Sequence, residues 1–341
     1  MSTDAVGGVW TYADELRAGL GAEGVDVVLA TLGPLAPPEP HVLHLPGCLE
    51  WQDEPWEDVR RGGRWLLGLA EELRADIVHL NGFAHGALCW PVPSVVVAHS
   101  CVPSWHEAVR GAPAPPAWER YRAAVGAGLR GADAVIAPTA MMREALRRHH
   151  DLQHRCEVIA NGVSPHPGPH LPKEPFVLGA GRLWDEAKGL AALDRAAQRI
   201  AWPVEVAGDA GGAGLRHVRT RGVLERRTLR ELMGRAAIFA HPARYEPFGL
   251  VVLEAALAGC ALVLGDIPSL RELWDGAARF VAPGDHAALA RALEELAADA
   301  PLREQLGARA CERAGDYELR AMAASYAALY ARLSAARMAV A

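Results

Sequence analysis

Five prolines, Pro165, Pro167, Pro169, Pro172 and Pro175, crowd one short stretch near the middle of the chain. Proline has no N–H to give a sheet ladder, and several together keep the backbone stiffly extended. The stretch reads as a linker between two domains, and 341 residues is more than one ordinary core needs. On both sides of it, short apolar runs alternate with helical patterns. That alternation implies parallel βαβ units, in which ligands bind beyond the strand C-termini.

In the first half, Met1 to Val6 precede a Gly7-Gly8 turn, which leaves room for only a short first strand. Trp10 to Leu20 follows as a helix with Leu16 and Leu20 on one face. A Gly-Gly turn opening a helix can turn backbone N–H groups toward a phosphate or sugar, although such a pair is also an ordinary turn. Val25 to Thr31 reads as a strand, Gly33 to Pro40 as a proline-rich loop and Trp65 to Leu73 as a helix. Ala75 to Leu80 and Ser94 to His99 are further strands, bringing His79 through Phe83, and His99 with Ser100, to one rim. His79 and His85 read as structural. Cys101 to Trp118 reads as irregular; Trp105, His106, Trp118 and Tyr121 around it suit either sugar faces or simple packing. Ala132 to Pro138 is a strand, and the Thr139 hydroxyl is placed to cap a helix from Met141 to His149. Arg155 to Val163 is the last element before the linker.

The second half opens with a strand, Phe176 to Ala180, running into Gly181-Arg-Leu-Trp-Asp-Glu-Ala-Lys188-Gly189 and a helix from Leu190 to Ile200. Arg182 and Lys188 therefore sit at a strand end, suited either to a diphosphate or to pairing with Asp185 and Glu186. Strands at Pro203 to Ala207, Ala237 to Pro242 and Ala261 to Gly265 follow, with a helix from Thr228 to Ala236. Ser269-Leu-Arg-Glu272 has the form of a capping box, Asp285 is placed to cap Ala287 to Ala297, and Leu319 to Met338 reads as an amphipathic terminal helix.

Arg244-Tyr-Glu-Pro-Phe-Gly-Leu-Val-Val-Leu-Glu-Ala-Ala-Leu-Ala-Gly259 carries two glutamates, Glu246 and Glu254, with seven residues between them. Leu250 to Ala258 are helix formers, so a short helix starts near Gly249 and stops at Gly259. Glu254 then lies among Leu250, Val251, Leu257 and Ala258, where an ionised carboxylate is costly without a hydrogen-bond partner. The free N–H groups and positive dipole of the helix start offer a place for an anion.

Arg-Tyr-Glu-Pro-Phe-Gly-Leu-x-x-Leu-Glu-Ala resembles the E-x7-E signature of retaining nucleotide-sugar glycosyltransferases of the GT-B fold, the family-4 type. Gly7-Gly-Val-x-x-Tyr-x-x-Glu-Leu16 and Val-Ile-Ala-Asn-Gly-Val163 also resemble segments of that family. The resemblance implies an α/β protein of two Rossmann-like doubly wound domains facing across a cleft: residues 1–164 on the acceptor side and 165–324 on the nucleotide-sugar side. A C-terminal helix of about 325–341 is expected to pack back on the first domain. It implies that Glu254 holds the donor ribose, that Glu246 faces the transferred sugar, and that the amides at Gly249 and Leu250, after Phe248, meet sugar and phosphate. Arg182 and Lys188 are implied on the diphosphate, Gly8 at the donor and His99 at the sugar and acceptor region. The catalytic candidates are thus His99, Glu246, Arg182 and Lys188. Arg221 to Leu224 resembles the segment whose backbone meets the base. The family's commonest form is one residue shorter between Arg182 and Lys188, so Trp184-Asp-Glu-Ala187 is expected to bulge.

A net charge of −6 and short arginine pairs such as Arg147-Arg148 and Arg226-Arg227 argue against a nucleic-acid binder and read as solvated helix faces. Six scattered cysteines without a C-x-x-C pair read as reduced, mostly buried thiols of a cytoplasmic protein, with peripheral contact at the inner membrane face left open. No apolar run reaches the length of a membrane span, and no signal peptide or D-x-D sequence is present. The expected partners are a nucleotide-sugar donor and a saccharide, lipid-linked or small-molecule acceptor, with no metal and no cofactor. A catalytically silent nucleotide-sugar-binding subunit, or a GT-B epimerase or phosphorylase, stays open beside transfer.

Overall fold

The computed structural model describes residues 1–5, 7–152, 156–165, 172–209, 211–212 and 214–339. Val6, Arg155, Pro167 and Pro169 of the sequence reading lie outside the described residues. The chain divides into two compact units, Met1–Gly162 with Leu319–Ala341, and Val163–Glu318. These junctions come slightly before the expected 164 and 324. Val163 forms a parallel bridge to Glu318 and takes the Tyr317 carbonyl at 3.3 Å, so both crossing segments are already paired within the second unit.

The first unit holds a parallel sheet of β1 (Ser2–Thr3), β2 (Ala30–Gly33), β3 (Leu43–Pro46), β4 (Val78–Leu80), β5 (Ser94–Val97), β6 (Ala134–Ala137) and β7 (Cys156–Val158). Their order is β3-β2-β1-β4-β5-β6-β7, which reverses direction between β1 and β4. The helix Gly8–Ala22 buries Leu16 and Leu20 and packs on the terminal helix Leu319–Met338, which belongs to this unit. Val96, Leu129, Val135 and Leu146 are among its fully buried core residues.

The second unit holds β8 (Glu174–Ala180), β9 (Val204–Ala207), β10 (Arg219–Thr220), β11 (Ala236–His241), β12 (Ala261–Gly265) and β13 (Ala278–Val281). The order is β10-β9-β8-β11-β12-β13, parallel throughout and reversing between β8 and β11. Its central strands β11 and β12 are buried on both faces, as the continuous apolar runs of a covered parallel sheet require.

Several expected boundaries change. β2 begins at Ala30 rather than Val25: its pairing with β1 starts at Ser2↔Ala30, and before that the Val28 carbonyl accepts from the Met1 ammonium, at 2.8 Å. Cys101 to Trp118 contains the helix Val102–Arg110, with Pro103 in its first turn where no N–H is needed, and a left-handed Gly111 ending it. Pro175 belongs to β8 and not to a linker; the β8–β11 register shifts beside it, a bulge that accommodates the missing donor. Ser269 is no cap: the helix Pro268–Trp274 has Ile267 at its N-cap. Thr139 and Asp285 do cap, accepting from the Met142 and Ala288 amides. Of the six free cysteines only Cys101 and Cys260 are buried, and Cys89 and Cys311 are exposed, against the expectation of mostly buried thiols. No helix among the described residues is long and apolar enough to cross a membrane.

In the first unit the helix Glu119–Gly131 lies against the turn Ala84–Ala87 so closely that a Cβ at Gly128 would fall 1.8 Å from the Phe83 carbonyl oxygen. Gly128→Ala should therefore destabilise at the upper end of the roughly 1–3 kcal/mol typical of overpacking. Gly21→Ala, in an open helical position, should be neutral or stabilise by about 0.5 kcal/mol. Urea unfolding of both variants checks the contrast.

Candidate active site

β8 and β11 are adjacent and parallel, and the sheet reverses between them, so the loops leaving their C-terminal ends meet at one place. The β8 loop contains Arg182 and a short 3₁₀ turn, Glu186–Lys188, capped by Asp185. The β11 loop contains Glu246 and leads into the helix Leu250–Leu257. The Arg244 amide donates to the Ala187 carbonyl at 2.8 Å, which ties the two loops together.

Glu246 is the centre of this junction. Lys188 Nζ donates to its Oε2 at 2.8 Å, and His241 Nε2, at the end of β11, lies 3.0 Å from the same oxygen. Burial works to raise the Glu246 pKa, yet Lys188 and His241 outweigh it and hold the carboxyl well below the usual range. The Ser269 hydroxyl donates to the Glu246 carbonyl, fixing the backbone as well. Gly249 has φ 88°, and a Cβ there would press on Glu246 Cγ at 3.2 Å, so glycine serves both the turn and the glutamate's room. The expected bulge between Arg182 and Lys188 is absorbed by the Asp185-capped turn, and Lys188 reaches Glu246.

Arg182 pairs with Asp185 at 2.7 Å, with its guanidinium 5.6 Å from the Trp184 ring centroid. Its Nε is buried without a partner among the described residues. Leu250 begins the helix at Gly249, as expected, while the Phe248 ring is committed to the core, edge-on to Tyr317 at 5.7 Å.

Glu254 is buried, and the cause of its tolerance among apolar neighbours is now visible. Its Oε1 accepts from Arg226 Nε at 2.9 Å and from Arg230 Nε and Nη2 at 3.1 and 2.9 Å. Arg226 is thus no solvated helix-face residue, in contrast to Arg227, which is exposed. Arg226 and Arg230 stand four apart on the helix Arg226–Arg235, and that spacing is the signal that could have found them. Arg221 clamps Glu205 with both Nε and Nη2 at 2.8 Å, and Val223 beyond it is exposed.

In the first unit, Gly8 opens its helix behind a left-handed Gly7, φ 67°. His99, beyond the end of β5, has Nε2 2.8 Å from Asn81 Oδ1, and Asn81 Nδ2 donates to the Ser2 carbonyl. Since the Asn81 amide points its N–H at Ser2, His99 Nε2 is the donor to Oδ1. Burial lowers the His99 pKa to about 4, so the ring is neutral near pH 7. His79 is structural: fully enclosed, with Nδ1 2.6 Å from the Tyr330 hydroxyl. His85 Nε2 meets the Val59 carbonyl at 2.9 Å. Trp105, His106, Trp118 and Tyr121 form a run of ring contacts at 5.2, 6.3 and 5.7 Å. His241, Ser269, Arg226 and Arg230 are the polar residues that motif reading passed over.

Residues 6–166 match the family described as Glycosyltransferase Family 4, and residues 169–313 the family described as Glycosyl transferases group 1. The chain is 30% identical to the alpha-maltose-1-phosphate synthase of Mycobacterium tuberculosis over 65% of its own length and 68% of that protein. Its fold superposes on sucrose-phosphate synthase from Thermosynechococcus elongatus with a TM-score of 0.82, 22% identity and coverage of 98% and 95% of the two chains. HepE of Anabaena, solved in complex with UDP-glucose, gives a TM-score of 0.75 at 19% identity over 98% of each chain.

The depressed Glu246 pKa has a sign that can be checked. A carboxyl held below its unfolded value, 4.5, contributes stability above that pH and loses it as pH falls further. Lys188→Met removes the main source of that depression. At neutral pH it should destabilise the second unit by on the order of 3 kcal/mol, as for a broken buried pair. The gap to wild type should narrow as pH is lowered below 4.5, measured by urea unfolding across pH.

Proposed function

This chain belongs to the family-4 type of GT-B glycosyltransferases, and on that premise we propose how it works as a transferase of EC 2.4 type drawing its sugar from a nucleotide-sugar donor. In our reading the donor is a nucleoside diphosphate sugar held by the second unit. The sugar passes, with retention of anomeric configuration and without a bridging divalent metal, to a hydroxyl of a saccharide, lipid-linked or small-molecule acceptor. The observation that carries it is the meeting of the Arg182–Lys188 loop and the Glu246–Gly249 loop where the sheet reverses.

Breaking the sugar–phosphate bond gathers negative charge on the departing diphosphate. Arg182, Lys188 and the first-turn amides at Gly249 and Leu250 stabilise that charge. Lys188 has three protons and spends one on Glu246, so it can serve the phosphate while still orienting the carboxylate. Glu246 accepts from hydroxyls of the transferred sugar and fixes the ring for reaction. Glu254 holds the ribose hydroxyls, its carboxylate oriented by Arg226 and Arg230. In the first unit, Gly8 and His99 are assigned to the donor and to the sugar and acceptor region. The absence of D-x-D from the sequence supports the metal-independent reading.

Thermal-shift screening against UDP-, GDP-, ADP- and dTDP-sugars identifies the donor, since ligand at a hundred times its dissociation constant adds about 2.7 kcal/mol of stability. With that donor, NMR of the product's anomeric configuration tests retention, and transfer in the presence of a chelator tests metal independence. Arg182→Ala should lower turnover roughly a hundredfold, about the effect of removing one oxyanion donor, while weakening donor binding much less. A rise in the Michaelis constant with turnover intact would restrict Arg182 to binding.

A further inference from the structure

His241 closes β11 with none of its side chain exposed to solvent. Its ring stacks on Phe239, the centroids 6.4 Å apart and the planes 17° from parallel, so packing sets its orientation. Nε2 lies 3.0 Å from Glu246 Oε2, whereas Nδ1 is buried with no partner among the described residues. An ionised carboxylate oxygen can only accept, so Nε2 carries the hydrogen in this contact. The ring is therefore held to the carboxylate through Nε2 alone.

Lys188 Nζ takes the same oxygen, Oε2, at 2.8 Å. Among the described residues no hydrogen bond engages Oε1. Two internal donors thus converge on one carboxylate oxygen and leave the other. We propose that His241 is a positioning residue: it locks Glu246 by Oε2 so that Oε1 alone meets the transferred sugar. This rests on the reading of Glu246 as the sugar-facing carboxylate. Because Oε1 is ionised and acceptor-only, the arrangement favours donors whose sugar presents a free hydroxyl there over deoxy or O-methyl analogues. Lys188 alone could rotate with its flexible stem; the stacked imidazole cannot, and it supplies the direction that the ammonium lacks.

The test compares His241→Phe, which keeps a packed ring but removes both nitrogens, with His241→Gln, which restores an N–H near the position of Nε2. UDP-glucose hydrolysis and transfer supply the kinetics, and thermal unfolding confirms that each variant folds. His241→Phe should lose turnover roughly ten- to hundredfold, the value of a hydrogen bond to a charged group. The Michaelis constant should move far less, and His241→Gln should recover most of the rate. In a Glu246→Ala background, His241→Phe should add no further loss. Full turnover in His241→Phe, or an independent loss in the double variant, overturns the proposal. A second arm needs no substrate: ¹⁵N-imidazole NMR of the ligand-free protein, with His241 assigned by difference from His241→Phe. It should show hydrogen on Nε2, a preference relaxed by Glu246→Ala. Nε2 without hydrogen overturns the proposal even if no variant alters rate. Failure of the wild type to bind or cleave any nucleotide sugar would instead defeat the functional reading, while the NMR arm still decides the role of His241.

Discussion

A carboxylate with little exposure to water is held ionised at Glu246 because an ammonium and an imidazole N–H converge on one of its oxygens. Burial alone favours the protonated acid, and Lys188 and His241 oppose it and hold the pKa down. Those partners come from different strands: His241 ends β11, and Lys188 follows β8. Their meeting therefore depends on the β8–β11 register, Ile238 opposite Val177 and Phe239 opposite Leu178. A slip of one residue would turn His241 to the other face of the sheet. The register shift beside Pro175 places the bulge at the strand entry, and beyond it the pairing runs in step. Sheet packing, in this sense, sets the protonation state of the glutamate.

What could be read from the sequence follows the strength of each local signal. Runs of helix formers were legible: Leu319–Met338 has the bounds expected of it, although its apolar residues are not gathered on one face as an amphipathic helix would have them, and the helix after Gly249 starts and stops where its glycines require. β3 and β10 were not, since neither has a buried apolar run and their pairing is decided by neighbours distant in sequence, whereas the four buried residues of β5 and β6 were legible. The helix Val102–Arg110 was hidden by Pro103, which reads as a breaker although the first turn tolerates it. Ser269 looked like a cap because its local pattern fits one; its hydroxyl instead serves the Glu246 carbonyl, a contact no local pattern encodes. The glutamates of the site were legible as anomalies, but their partners were not. The spacing of Arg226 and Arg230 puts them on one helix face, but that this face meets Glu254, and that His241 meets Glu246, is decided by the tertiary fold.

The two units apply one topology to different electrostatic ends. Each sheet reverses direction once, and each places polar residues beyond the strands beside that reversal. In the first unit the link from Ser2 through Asn81 to His99 is made of neutral groups, and burial keeps His99 uncharged near neutrality. In the second the links are ionic: Lys188 with Glu246, Arg182 with Asp185, and two arginines on Glu254. A neutral network suits hydroxyl groups, which need both donors and acceptors; paired ions suit a ligand that brings charge of its own.

The pairing of the cations bears on the cost of the proposed reaction. An unpaired Lys188 or Arg182 would bind a diphosphate more strongly in the ground state, which would not by itself speed bond breaking. Each is instead partly neutralised by a carboxylate in the ligand-free protein, at 2.8 and 2.7 Å, and is already held in position. Their remaining donors, the two other protons of the Lys188 ammonium and the buried Nε of Arg182 among them, gain most when negative charge on the leaving group is greatest. Oriented donors of moderated charge favour the transition state over the bound donor because little reorganisation remains when the bond breaks. In the proposed reaction, the carboxylates paired with Lys188 and Arg182 thereby also direct binding energy toward the departing diphosphate.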